Sequence, residues 1–118
     1  MENHDERRKF IRLNLSADIT YTKVADSSNR ESSITRNISL GGLCIISYER
    51  LGVGDILKLA ISFPDSGKTI SAQAKVSWIK EFIIGDPTSG KRYDVGAEFI
   101  NIDQKDREDI NKYIFSHL

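Results

Sequence analysis

Four segments of this chain alternate apolar and polar residues one for one. They are Leu13, Leu15, Ala17, Ile19 and Tyr21; then Leu57, Leu59, Ile61 and Phe63; then Ile70, Ala72, Ala74, Val76 and Trp78; and finally Tyr93, Val95, Ala97 and Phe99. A period of two puts successive side chains on opposite faces of an extended backbone, so each segment reads as a strand with one face buried. The third run predicts Trp78 on the inward face, in the core or at a rim, beside Val76 and Ala74. The competing reading has its ring in contact with a ligand or with the N-terminal segment.

Two shorter strands complete the set, over residues 34–38 and over the apolar run 43–47. Turn residues separate the strands: Ser39-Leu40-Gly41-Gly42, Leu51-Gly52-Val53-Gly54-Asp55, Pro64-Asp65-Ser66-Gly67 and the stretch Gly85 to Gly90. Residues 25–33 are rich in Ser, Asn and Asp and read as a loop. After Phe99 the period changes. Ile110, Ile114 and Leu118 recur every four residues with Tyr113 beside them, which predicts an amphipathic helix over 103–118 with Asp103 at its N-cap and Asp106 three residues on. Six short strands and one helix fit a small all-β barrel or sandwich. At 118 residues, 39% apolar and 29% charged, the chain suits one globular domain. The expected division is an N-terminal arm over 1–12, a β-domain over 13–102 and the helix.

Several chemistries find no support. The formal net charge is zero, so no global field draws the chain to a nucleic acid or an anionic membrane. No apolar run is long enough to span a bilayer, no leader pattern is visible, and the single cysteine, Cys44, sits in an apolar run as a small buried residue. These features lead us to expect a cytoplasmic protein. The two histidines, His4 and His117, lie at opposite ends of the chain, so neither zinc spacing nor a held general base is present. Gly85-Asp86-Pro87-Thr88-Ser89-Gly90-Lys91 copies the first seven positions of a phosphate-binding P-loop. The next residue is Arg92 rather than Ser or Thr, and a strand follows where a helix is needed.

Two clusters remain. Glu6-Arg7-Arg8-Lys9-Phe10-Ile11-Arg12 gathers three arginines and a lysine just before the first strand. A guanidinium binds phosphate or a guanine edge bidentately and stacks on a purine, which an ammonium cannot do. Phe10 and Ile11 can pin such an arm to the domain. The second cluster is Asn37-Ile38-Ser39-Leu40-Gly41-Gly42 at a strand end. Asn37 and Ser39, two apart, are expected to project to one side. Gly42 permits a tight turn or close approach of a ligand.

Arg-x-x-x-Arg at Arg8 and Arg12, followed by Asn-x-Ser-x-x-Gly at Asn37, Ser39 and Gly42, resembles the paired signature of the PilZ family. Ala74-Lys75-Val76-Ser77-Trp78, Tyr93-Asp94-Val95-Gly96-Ala97-Glu98-Phe99 and the terminal helix are similar to that family in the same order. The resemblance implies a six-stranded antiparallel β-barrel that binds cyclic di-GMP on an outer face and is not an enzyme. Arg7, Arg8 and Arg12 would hold guanine and phosphate from a flexible arm, and Asn37, Ser39 and Gly42 would form the barrel side. Arginine at position 7 favours two ligand molecules, stacked as an intercalated dimer. Such a receptor, monomer or homodimer, would need no cofactor and would signal through a protein effector. A PilZ-like interaction module without nucleotide, and a small nucleic-acid-binding barrel, are the competing readings.

Overall fold

The alternating segments pair into one antiparallel sheet in a computed structural model, which describes residues 11–118. The elements are β1 (Leu13–Asn14), β2 (Asp18–Lys23), β3 (Asp26–Ile38), β4 (Gly42–Ser47), β5 (Ile56–Ser62), β6 (Thr69–Ile83), β7 (Lys91–Ile102) and α1 (Gln104–Ser116). Neighbours run β3-β2-β5-β6-β7-β4, and β4 pairs back onto β3, which closes a six-stranded barrel. Closure pairs the two outer strands of the sheet with each other, β4 against the second half of β3. The short β1 adds to the end of β3, with Leu13 opposite Ile38 and Asn14 opposite Asn37.

The inward faces are those read from the alternation, on β6 as far as Val76. Ile19, Leu57, Ile61, Ile70, Val76 and Val95 are buried in one apolar cluster. Each such side chain contributes about 1.5–3 kcal/mol on leaving water. The Tyr21 hydroxyl lies among them and shares a hydrogen bond with Ser47 Oγ at 2.9 Å. Burial raises its pKa despite that bond, which keeps the phenol neutral.

The strand expected over 13–21 is interrupted. Residues 15–17 leave the ladder, and the buried Thr35 takes its place: Oγ1 donates to Leu15 O at 2.6 Å and accepts from the Ala17 N–H at 2.9 Å. Alternation continues through the break because Thr35 holds the chain extended. The loop expected over 25–33 is instead, from Asp26 on, the first eight of the 13 residues of β3. Val24 and Ala25 make the turn, and the polar residues that follow pair with β2, Arg30 opposite Thr22 and Ser33 opposite Ile19. A ladder needs backbone groups, not apolar side chains, so an exposed strand can carry loop-like composition.

The C-terminal helix packs on its own barrel. Ile110 and Ile114 join the core cluster, the Tyr113 ring stacks on Phe63 at 4.4 Å, and Lys68 Nζ pairs with Asp109 at 3.2 Å. Asp103 sits at the N-cap with extended backbone but makes no side-chain capping bond, contrary to the capping expected of it. Leu118, expected on the buried stripe, lies past the helix end and is exposed.

Candidate functional site

The site begins where β3 ends. Beyond Ile38 the chain turns tightly, with the Ser39 N–H donating to Gly42 O at 2.8 Å. Ser39 Oγ accepts from the Gly41 N–H at 3.2 Å and donates to Gly42 O at 3.4 Å, so the hydroxyl braces the turn. The Phe99 N–H donates to Gly41 O at 2.9 Å and ties the turn to β7. Gly42 has no room for a side chain: a Cβ would stand 2.1 Å from Ala97 O. The close approach that requires glycine here is that of the neighbouring strand.

The other wall comes from a bulge. The register of β6 against β7 shifts between Val76 and Trp78, and Ser77 Oγ donates to Gly96 O at 3.2 Å. One extra residue reverses the alternation. Val76 faces the core, whereas Trp78 turns outward with 41% of its surface exposed. This corrects the inward placement read from the unbroken pattern. The indole lies over Gly96, where a Cβ would fall 2.0 Å from Nε1. Gly96 is thus the seat of the tryptophan.

Turn and bulge flank a cleft of about 570 Å³, whose walls also carry Arg12, Glu98 and Arg107. That volume lies within the range of small-molecule sites, roughly 300–1,000 Å³. Arg12 enters from the residue before β1, Glu98 from β7 and Arg107 from the first turn of α1. Two guanidinium groups can bind phosphate oxygens in fork geometry. The indole offers a flat face for a base.

Of the residues singled out by sequence, the cleft brings together Arg12, Ser39 and Gly42. Asn37 is half-buried, opposite Asn14 and Cys44, and is absent from the cleft lining. Ile38, between it and Ser39, is the last residue of β3, so Asn37 belongs to the strand and Ser39 to the turn. Arg7 and Arg8 lie outside the described residues. Sequence reasoning missed Gly96, Glu98 and Arg107 as site residues. Only Gly96 carried a signal, as a glycine inside a run of alternating residues.

The remaining clusters carry structural roles. Residues 84–90 form the β6–β7 turn, where the Asp86 carboxylate accepts from the backbone and hydroxyl of Thr88, both at 2.9 Å. Those bonds hold its pKa below the usual carboxylate range. The turn feeds β7 rather than a helix, which removes the P-loop reading. Cys44 is buried, and burial, aided by Asp94, pushes its thiol up to about 11. Among the described residues no group of His, Cys, Asp and Glu is placed to hold a metal ion. No described helix is long and apolar enough to cross a membrane.

Comparison with known proteins agrees with this fold. Inhibitor of motility MotI/DgrA from Bacillus subtilis superposes with a TM-score of 0.75 at 22% identity, over 99% of this chain and 56% of that one. The PilZ domain of YcgR from Escherichia coli, solved with c-di-GMP, gives 0.73 at 19% identity, over 93% of this chain and 90% of that one. The K. pneumonia MrkH–c-di-GMP complex gives 0.73 at 18% identity, over 94% of this chain and 51% of that one. The chain thus spans about half the length of MotI/DgrA and of MrkH. At these identities the likeness establishes the fold. A search of curated proteins gave no match. The family model for the PilZ domain matches residues 6–116, nearly the whole chain. The chain belongs to the PilZ domain family.

Proposed function

We propose that this chain is a cyclic di-GMP receptor. The observation that carries the reading is the meeting of Arg12, Ser39 and Gly42 in one cleft with the half-exposed indole of Trp78. A cyclic dinucleotide presents two phosphates and two purine faces, and these groups match both. The YcgR PilZ domain and MrkH, which share the fold, are each solved with c-di-GMP, and this supports the same ligand here.

In this reading Arg7, Arg8 and Arg12 hold phosphate and guanine, and Arg107 adds charge from the helix. Ser39 and the glycine-bearing turn form the barrel side, with Asn37 next to it at the end of β3. Arginine at position 7 favours two stacked ligand molecules. Binding draws residues 1–12 onto the cleft, and a protein partner in the cytoplasm reads that change. The role is reception rather than catalysis.

Isothermal titration with cyclic di-GMP, with GTP and cyclic AMP as controls, tests the proposal. Saturable binding of cyclic di-GMP alone is expected, and its stoichiometry gives the number of ligands per domain. Arg8→Ala is expected to weaken binding about ten- to a hundredfold, the loss of one bidentate contact. A folded protein that binds no cyclic di-GMP contradicts the proposal and leaves a PilZ domain working through protein contacts alone.

A further inference from the structure

Glu98 is an unexpected residue to find on the wall of a cleft for a ligand with phosphates. It stands on β7 with Gly42 opposite on one side and Lys75 on the other. It is exposed, and its carboxylate makes no hydrogen bond or ion pair among the described residues. Gly42 contributes no side chain to screen it. Arg12 and Arg107 line the same cleft. A pocket selected for phosphate charge alone gains nothing from a carboxylate, because like charges repel. An acceptor-only group is useful in a binding site when the ligand brings hydrogen-bond donors to it.

Guanine brings two. Its N1–H and N2–H groups point in parallel from one edge, at a spacing that a carboxylate accepts bidentately. Adenine presents a bare N1 acceptor at that place, which a carboxylate repels. Hypoxanthine keeps N1–H and lacks the amino group. Resting on the receptor reading above, we propose that Glu98 is the specificity-determining residue of this cleft and reads the guanine edge. Asn37, whose amide oxygen could also accept, is absent from the lining, and Glu98 occupies the cleft with a charged acceptor. The arginines, which only donate, then serve the phosphates and the O6 and N7 acceptors of guanine, and the carboxylate serves its N1–H and N2–H donors.

The test measures affinities of wild type, Glu98→Gln and Glu98→Ala for cyclic di-GMP, cyclic di-AMP and cyclic di-inosine monophosphate. Melting curves establish that the variants fold, as an exposed position permits. Wild type is expected to favour cyclic di-GMP over the inosine analogue by about tenfold or more and over cyclic di-AMP by a wider margin. Glu98→Ala is expected to lose about ten- to a hundredfold toward cyclic di-GMP and to bind the inosine analogue and cyclic di-GMP alike. Glu98→Gln, which keeps one acceptor oxygen and loses the charge, is expected to fall between. Variants that bind cyclic di-GMP as tightly as wild type, or more tightly, overturn the proposal, since the carboxylate then only repels phosphate. Retention of the preference over the inosine analogue in Glu98→Ala overturns it too. A wild type that binds no cyclic di-GMP overturns the receptor reading and this inference together. Binding that is indifferent to Glu98 overturns this inference alone.

Discussion

Beneath α1 the barrel is closed by Ile110 and Ile114, with Tyr113 laid on Phe63, and nothing charged faces inward from those positions. At the cleft the same barrel shows two glycines without room for a side chain, a half-exposed indole and three charged residues. The first region follows the regular periods of strand and helix. The second is built from interruptions: a strand that stops at Ile38, a bulge at Ser77, a close backbone contact at Gly42 and an indole seated on Gly96. Regularity buries surface and stabilises the fold. Interruption re-aims side chains and opens space for a ligand. Stability and binding therefore rest largely on different residues, and substitutions are expected to separate them.

Ile110→Ala tests the stabilising side most strongly. Removing a fully buried side chain is expected to cost roughly 2–5 kcal/mol in denaturant unfolding. Affinity for cyclic di-GMP should hold while the variant is folded. A parallel fall in affinity would mean that helix and cleft are coupled through Arg107. Gly42→Ala cuts across the comparison. It lies in the cleft, yet its Cβ meets Ala97 O at 2.1 Å, so it should strain the β4–β7 pairing by roughly 1–3 kcal/mol and lower the melting temperature. A variant that melts like wild type would refute the packing role assigned to this glycine.

Thr35→Val keeps the shape and deletes both side-chain hydrogen bonds at the break between β1 and β2. About 1–3 kcal/mol of stability should be lost, read by thermal unfolding, because the Ala17 N–H and Leu15 carbonyl are left without that partner. Arg12→Ala is expected to leave stability unchanged and to weaken cyclic di-GMP binding about ten- to a hundredfold. The smallest effect belongs to Cys44. With its thiol held near 11 and buried, it should resist alkylation at neutral pH in the folded protein and react on unfolding.

The same division decides what could be read in the sequence. The inward faces of β5, β7 and the helix positions Ile110 and Ile114 were legible because burial imposes a period on the residues. The polar half of β3 was not, since a strand exposed on one side needs only its backbone to pair. The break at residues 15–17 was hidden because Thr35, far away in the chain, supplies the missing hydrogen bonds. Within the cleft, Arg12, Ser39 and Gly42 were legible as motif residues. Trp78 was misplaced because a bulge adds one residue without leaving a mark in the alternation. Glu98 and Arg107 were hidden because charged residues on a strand and a helix look like any solvated face until the fold brings them together.

Trp78 is the only tryptophan of the chain, so its indole N–H gives a single nuclear magnetic resonance signal located in the cleft. Titration of the labelled protein with cyclic di-GMP is therefore the most direct test. Saturable shifts of that signal and of the amides of residues 39–43 and 96–99 are expected, with residues 110–114 little changed. No shift at Trp78 under saturating ligand, or shifts gathered on another face of the barrel, would contradict it.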